Sequence, residues 1–153
     1  MPVRLQTQFS DTLLAEIPRL RAYARLMTND GVKADQEVEE TLKRAFANED
    51  RLHNRRQLQV GLFTILRNFL AHDYNLRHAD VRGYPSASLE TEPLGAALLL
   101  LGFEDREAVI LSAAVGFSDP DIAGICGCEL EMVSGRVCRG LARLAELPAA
   151  KFG

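Results

Sequence analysis

The chain of 153 residues contains no tryptophan, few aromatic residues and no hydrophobic run long enough to cross a membrane. A membrane-spanning helix needs about 20 consecutive apolar residues, whereas the leucine run at 98–101 suits only a buried core segment. The first residues also lack the pattern of a secretory signal peptide. We therefore expect one or two small globular domains in the cytoplasm.

Cysteine is scarce, and catalytic constellations are absent. The three cysteines fall within one predicted helical hairpin, as Cys126, Cys128 and Cys138. An odd number of thiols without a signal peptide indicates reduced cysteines rather than a disulfide framework. The histidines, His53, His72 and His78, are too distant in sequence to complete a metal site. No nucleophile–base pair or phosphate loop is visible, so we expect no enzyme, no metal and no other cofactor.

Strand patterns are missing as well, because the β-branched residues are scattered and never alternate with polar ones. Helical periodicity runs nearly throughout and predicts an all-α fold. The predicted helices cover residues 11–27, 33–49, 58–76, 94–101 and 104–114. Their inward positions are Leu13, Leu14, Ile17, Leu20, Tyr23, Ala24 and Met27 in the first helix, Val38, Leu42, Ala45 and Phe46 in the second, and Leu62, Ile65, Leu66 and Phe69 in the third.

One segment, residues 77–93, interrupts this periodicity. It contains two prolines, two serines and Gly83, a composition that predicts a linker. The chain would then consist of two small helical lobes, residues 1–76 and 94–153. Each lobe needs its own core, and such lobes often dock on each other or on a partner.

Residues 116–147 have the pattern of a helix-turn-helix. Ser118 and Asp121 resemble a capping box, Pro120 suits a first helical turn, and Gly127 supplies the turn between the helices. The apolar positions expected to face inward are Ile122, Ile125 and Cys126, then Leu130, Val133, Val137, Leu141 and Leu144. The second helix carries a row of arginines, Arg136, Arg139 and Arg143. This layout is typical of a helix placed in a DNA major groove, although packed helical hairpins share it.

Charge is distributed unequally along the chain. Residues 1–82 carry 13 Lys and Arg against 11 Asp and Glu, a net charge of +2, whereas residues 83–153 carry 5 against 10, a net charge of −5. A duplex-binding lobe is usually basic, because neutralising phosphates supplies much of its affinity. The acidic second half therefore argues against simple DNA binding.

Two blocks of the sequence strongly resemble regions 2 and 4 of an extracytoplasmic-function (ECF) sigma factor. The first contains FTILRN at 63–68, and the second contains GFS at 116–118, ICGC at 125–128 and the arginine-bearing segment 136–147. The blocks are similar to the general-stress, EcfG-like branch of that family. The resemblance implies a stress-response sigma factor that binds core RNA polymerase, promoter DNA and an anti-sigma factor.

The resemblance also assigns roles to residues. It places the polymerase contact on the second helix, at Asp35, Glu39, Glu40 and Arg44. The alternative there is a solvated helix face with the i,i+4 pairs Glu39–Lys43 and Glu40–Arg44. Contacts to the −10 element would come from Arg55, Arg56, Arg67 and Asn68, and contacts to the −35 element from Ser134 and an exposed row of Arg136, Arg139 and Arg143.

Several positions depart from the family pattern. Gly61 stands where family members usually carry an aromatic residue, which weakens the expectation of promoter melting. Glu129 and Glu131 open the recognition helix, where they suit the helix dipole but would repel phosphates. A second hypothesis follows: a sigma-like mimic that binds an anti-sigma factor without reading a promoter. The usual mimic is fused to a receiver domain, and this chain has no receiver-like segment.

Overall fold

Every regular element in the structure, a computed structural model that describes residues 2–47, 54–79 and 93–146, is helical. The α-helices are α1 (Pro2–Thr28), α2 (Gly31–Ala47), α3 (Arg55–Ala79), α4 (Pro93–Leu99), α5 (Phe103–Val109), α6 (Asp119–Cys126) and α7 (Leu130–Ala145), and a π-helical segment, Ile110–Val115, continues α5. The predicted all-α fold is confirmed. No described helix is long and apolar enough to cross a membrane.

The first three helices form lobe 1. Asn29 ends α1 in the left-handed region, with φ of 54°, and its N–H donates to the Arg25 carbonyl. Asp30 then caps α2, because its carboxylate accepts from the Lys33 N–H at 3.1 Å. This tight connection folds α2 back beside α1, and α3 packs against both.

The remaining helices form lobe 2, which contains the predicted helix-turn-helix. Two glycines with positive φ, Gly116 at 91° and Gly127 at 67°, end the π-helical segment and α6. Gly140 of α7 lies where that helix crosses α5, and a Cβ there would meet the Val109 side chain at 2.5 Å. The glycine therefore lets the two helix backbones approach closely.

The buried side chains of the two lobes form one continuous core, so the lobes are docked. Phe63 of α3 packs edge-to-face on Phe117 of lobe 2 at 4.9 Å and on Tyr23 of α1 at 5.6 Å. Arg106 of α5 is buried and donates to the Met27 carbonyl at the end of α1, at 2.7 Å. The expectation that each lobe has a separate core is therefore wrong.

Several details of the predicted elements are also wrong. Four residues expected to face inward are largely exposed: Leu14, Phe46, Leu130 and Leu141. On α7 the reason is Gly140, because the helix turns its glycine rather than its leucines towards α5. Ser118 does precede α6, but its side chain makes no capping hydrogen bond. The boundaries of the predicted linker stay a prediction: α3 continues to Ala79 and α4 begins at Pro93, and residues 80–92 lie outside the described residues.

Candidate nucleic-acid interface

The second helix of the predicted helix-turn-helix, α7, exposes a different face from the one predicted. Arg136 is only 7% exposed, and its guanidinium lies 3.4 Å from the Glu104 carboxylate of α5. Its Nε is buried without a hydrogen-bond partner among the described residues. The prediction that Arg136 lies on the exposed side of the helix is wrong, because α7 packs on α5 through Val133, Arg136 and Gly140.

The other arginines of the row lie towards the solvent. Arg139 is exposed, but its guanidinium makes two hydrogen bonds to Asp105, at 3.0 and 2.9 Å. Arg143 is exposed, as predicted, and Ser134 is exposed as well. The most outward part of the helix holds Glu131, Gly135 and Cys138. The exposed arginines Arg139 and Arg143 therefore lie on one side of this outward face, which itself holds small residues and one carboxylate.

Arg67 of α3, a predicted −10 contact, forms an ion pair across the seam, which is the interface between lobe 1 and lobe 2. Its Nε donates to a Glu107 oxygen at 2.8 Å, and its Nη2 donates to the other oxygen at 3.2 Å. Glu107 lies on α5 and is 0% exposed. Burial raises the pKa of Glu107, an effect that the hydrogen bond and charge of Arg67 partly offset. A carboxylate of lobe 2 thus accepts hydrogen bonds from two nitrogens of the Arg67 guanidinium.

A second pair joins the same two lobes at the rim of the seam. The Arg56 guanidinium of α3 lies 2.8 Å from the Asp121 carboxylate in the first turn of α6. Arg55 and Asn68, the remaining predicted −10 contacts, are exposed. The −10 set is therefore split, with two residues paired to lobe 2 and two residues open to solvent.

A polar cluster surrounds Glu107 inside the seam. Burial raises the pKa of the Cys126 thiol, and the neighbouring Glu107 carboxylate adds to that effect. Burial likewise raises the pKa of Tyr23, whose hydroxyl has no hydrogen-bond partner among the described residues. The positive charge of Arg136 on α7 also opposes the rise in the pKa of Glu107. No group of three or more metal-binding side chains occurs in the described ranges.

The comparisons with known proteins agree with this architecture. Residues 13–67 match the family model described as the Sigma2 domain of PhyR. Over 94% of its length, the chain is 39% identical to the ECF RNA polymerase sigma factor EcfG of Rhodopseudomonas palustris, of which it covers 86%. The chain belongs to the ECF sigma factor family.

Solved structures of two sigma factors are similar to this ECF sigma factor over most of its length. The sigma factor RpoE of Bartonella quintana, in complex with the anti-sigma factor NepR, is 34% identical with a TM-score of 0.78, covering 91% of this chain and 95% of that chain. CnrH, in complex with the cytosolic domain of CnrY, is 27% identical with a TM-score of 0.76, covering 92% and 86%. Coverage of this extent includes both lobes.

The predicted polymerase-binding residues of the sigma factor lie along α2. Glu39, Glu40 and Arg44 are exposed, and the Lys43 ammonium lies 3.4 Å from each of the two glutamates. Asp35 instead faces α1, where its carboxylate lies 3.1 Å from Arg21. Three of the four predicted residues are thus exposed, and the i,i+4 pair between Glu39 and Lys43 is also present.

Sequence reasoning missed the residues that join the lobes. The sequence predicted no role for Glu107 or Arg106, and only a local capping role for Asp121. Acidic residues in the first turn of a helix and in an amphipathic segment are common, so spacing alone gave no signal for contacts across the chain. The net negative charge of residues 83–153 was the one sequence feature that indicated contacts between the lobes, because acidic side chains of the second lobe can pair with basic side chains of the first.

Proposed function

We propose that this chain acts as a stress-response sigma factor that directs core RNA polymerase to promoters. The 39% identity with EcfG across almost the whole chain carries the proposal. The helix-turn-helix of α6 and α7 supports it, because its two helices and positive-φ glycine have the geometry of a DNA-reading motif. The protein would act in the cytoplasm and without catalytic chemistry of its own.

In this proposal each lobe reads one promoter element. Lobe 1 contacts the −10 element through Arg55, Arg56, Arg67 and Asn68, two of which must first leave their partners in lobe 2. Lobe 2 contacts the −35 element through Ser134, Arg139 and Arg143. Arg136 has a different role from the one predicted: it holds α7 against α5 through Glu104 and supports the helix from beneath.

We also propose that the chain binds core polymerase and an anti-sigma factor. The exposed charges of α2 at Glu39, Glu40 and Arg44 suit a charged surface on the polymerase. RpoE was solved in complex with the anti-sigma factor NepR, which supports a partner of that class here.

The mimic remains the second candidate because two observations favour it. The family model that matches residues 13–67 is described from PhyR, and the outward face of α7 carries Glu131 with no arginine at its centre. A mimic would bind an anti-sigma factor through both lobes but would not bind core polymerase.

Binding measurements separate the two candidates. Purified chain is mixed with core polymerase, and the charge reversal Glu39→Lys with Glu40→Lys is compared with the matched pair Glu129→Lys with Glu131→Lys on lobe 2. We expect the native chain to co-purify with polymerase, the α2 variant to lose binding, and the lobe 2 variant to keep it. Tight anti-sigma binding without any polymerase binding would establish the mimic instead.

A further inference from the structure

The geometry points to Glu131 as a specificity-determining residue whose carboxylate selects a cytosine in the major groove of the −35 element. The inference rests on the proposed function, since it takes α7 as the helix that reads this element. Glu131 is the second residue of α7, and the first residues of a recognition helix are those that contact base edges.

Glu131 lies at the centre of the exposed face of α7. The buried residues through which this helix packs on α5 are Val133, Arg136 and Gly140. A helix turns by about 100° per residue, so the mean direction of these three residues is opposite to that of Glu131. The carboxylate therefore points straight away from lobe 2, in the direction from which a groove would approach.

The rest of this central line has short side chains. Gly135, one turn after Glu131, is exposed and would have open space around a Cβ. Cys138 and Ala142 are exposed on the following turns. Because none of these residues holds the helix away from the floor of a groove, the longer Glu131 side chain would reach the base edges.

The carboxylate of Glu131 would need a hydrogen-bond donor from the DNA. Glu131 is exposed and forms no ion pair within the part of the chain that the structure describes. The neighbouring Arg139 is directed instead at Asp105, to which it donates two hydrogen bonds. Entry into a groove removes water from the carboxylate, and a charged group that loses water without gaining a partner weakens binding. The base below Glu131 must therefore supply the donor.

Cytosine is the base whose major-groove edge suits a carboxylate best. Guanine presents N7 and O6 and thymine presents O4, and these acceptors repel a carboxylate. Adenine presents its N6 amino group beside the N7 acceptor, so attraction and repulsion are combined there. Cytosine presents the N4 amino group as a donor without an acceptor of its own. Glu131 should therefore select cytosine and disfavour the other three bases.

Selection from a duplex promoter library with a randomised −35 segment tests this, using the full chain assembled on core polymerase. Bound DNA is recovered at fixed salt and sequenced for the native chain, Glu131→Gln and the control Glu129→Gln. Glu129 immediately precedes α7, so both substitutions remove one negative charge from the start of the same helix. The general repulsion of phosphates therefore falls in both variants, and only a contact to a base distinguishes them.

We expect one position of the selected sites to be a C·G pair with the native chain and with Glu129→Gln, enriched about tenfold over the other base pairs. With Glu131→Gln the same position should change to A·T, because a glutamine amide donates to N7 and accepts from N6 of adenine. Glu131→Ala should lose the preference there and gain no other. The remaining positions should stay the same in every chain, and circular dichroism checks that each variant folds.

The outcomes separate this inference from the function on which it rests. Identical selected sites with the native chain, Glu131→Gln and Glu131→Ala would overturn the role of Glu131 and leave −35 reading by α7 intact. Failure of every chain to enrich any −35 sequence would instead contradict the DNA-reading function of α7, and the selection of cytosine with it.

Discussion

At the residue scale, the buried side chain of Arg106 contributes to the stability of the fold. It is 5% exposed and donates to the carbonyl of Met27 near the end of α1 and to those of Leu98 and Leu101 around the end of α4. Burial lowers the pKa of Arg106, a cost that the carbonyl contacts offset. The planar guanidinium reaches several carbonyls at once, which a lysine ammonium cannot do.

Arg106→Lys should therefore destabilise the fold although the charge is kept. Each unsatisfied buried carbonyl costs about 1–3 kcal/mol, so we expect a loss of about 2–4 kcal/mol in the free energy of unfolding. Chemical denaturation followed by circular dichroism measures it, with the exposed Arg143→Lys as the control. A loss below that of the control would show that the carbonyls are satisfied in another way.

The three cysteines should differ in reactivity. Burial raises the pKa of Cys126 and keeps it as a thiol, whereas Cys138 is exposed on α7. We expect a maleimide to modify Cys138 first and Cys126 last, since the thiolate is the reactive form and access is required. Mass spectrometry of timed samples gives the order. Early modification of Cys126 in the native chain would contradict its placement.

At the scale of elements, the sequence predicted helices well and their orientation less well. Periodicity placed the ends of the second to fourth helices within three residues, because burial of one stripe imposes the 3.6-residue pattern, but it began the first helix nine residues late, at residue 11 rather than Pro2. It misplaced Leu130, Leu141 and Arg136 on α7, since a glycine contact rotates the helix and a buried arginine is paired with Glu104. Such effects depend on a partner helix that the local pattern does not contain.

The crossing of α5 and α7 gives a prediction at this scale. Gly140→Ala places a Cβ against Val109 and 3.3 Å from the Asp105 carbonyl, so we expect a loss of about 1–3 kcal/mol in stability. Gly135→Ala lies on the same helix with open space around it and should gain up to about 1 kcal/mol. Thermal unfolding of both variants checks this. Equal effects of the two changes would contradict the close crossing.

At the scale of the whole molecule, the acidic second half looked like an obstacle to DNA binding. In the docked lobes, two of these acidic residues pair with lobe 1. Glu107 binds Arg67, and Asp121 binds Arg56. Family resemblance supplied the predicted DNA contacts, but no sequence pattern showed that two of the four predicted −10 residues pair with lobe 2 across the seam. The pairing of these residues depends on how the two lobes pack, and the spacing of residues within each lobe does not determine that packing.

The central claim is that this chain is a sigma factor whose promoter-reading residues act together with polymerase. Run-off transcription with core polymerase on a stress-type promoter tests it most directly, using the native chain beside Arg139→Ala with Arg143→Ala. We expect a transcript of defined length from the native chain and at least about tenfold less from the variant, because two phosphate or base contacts are lost. Polymerase that binds the chain yet yields no promoter-specific transcript, or equal transcript from both chains, would contradict the claim.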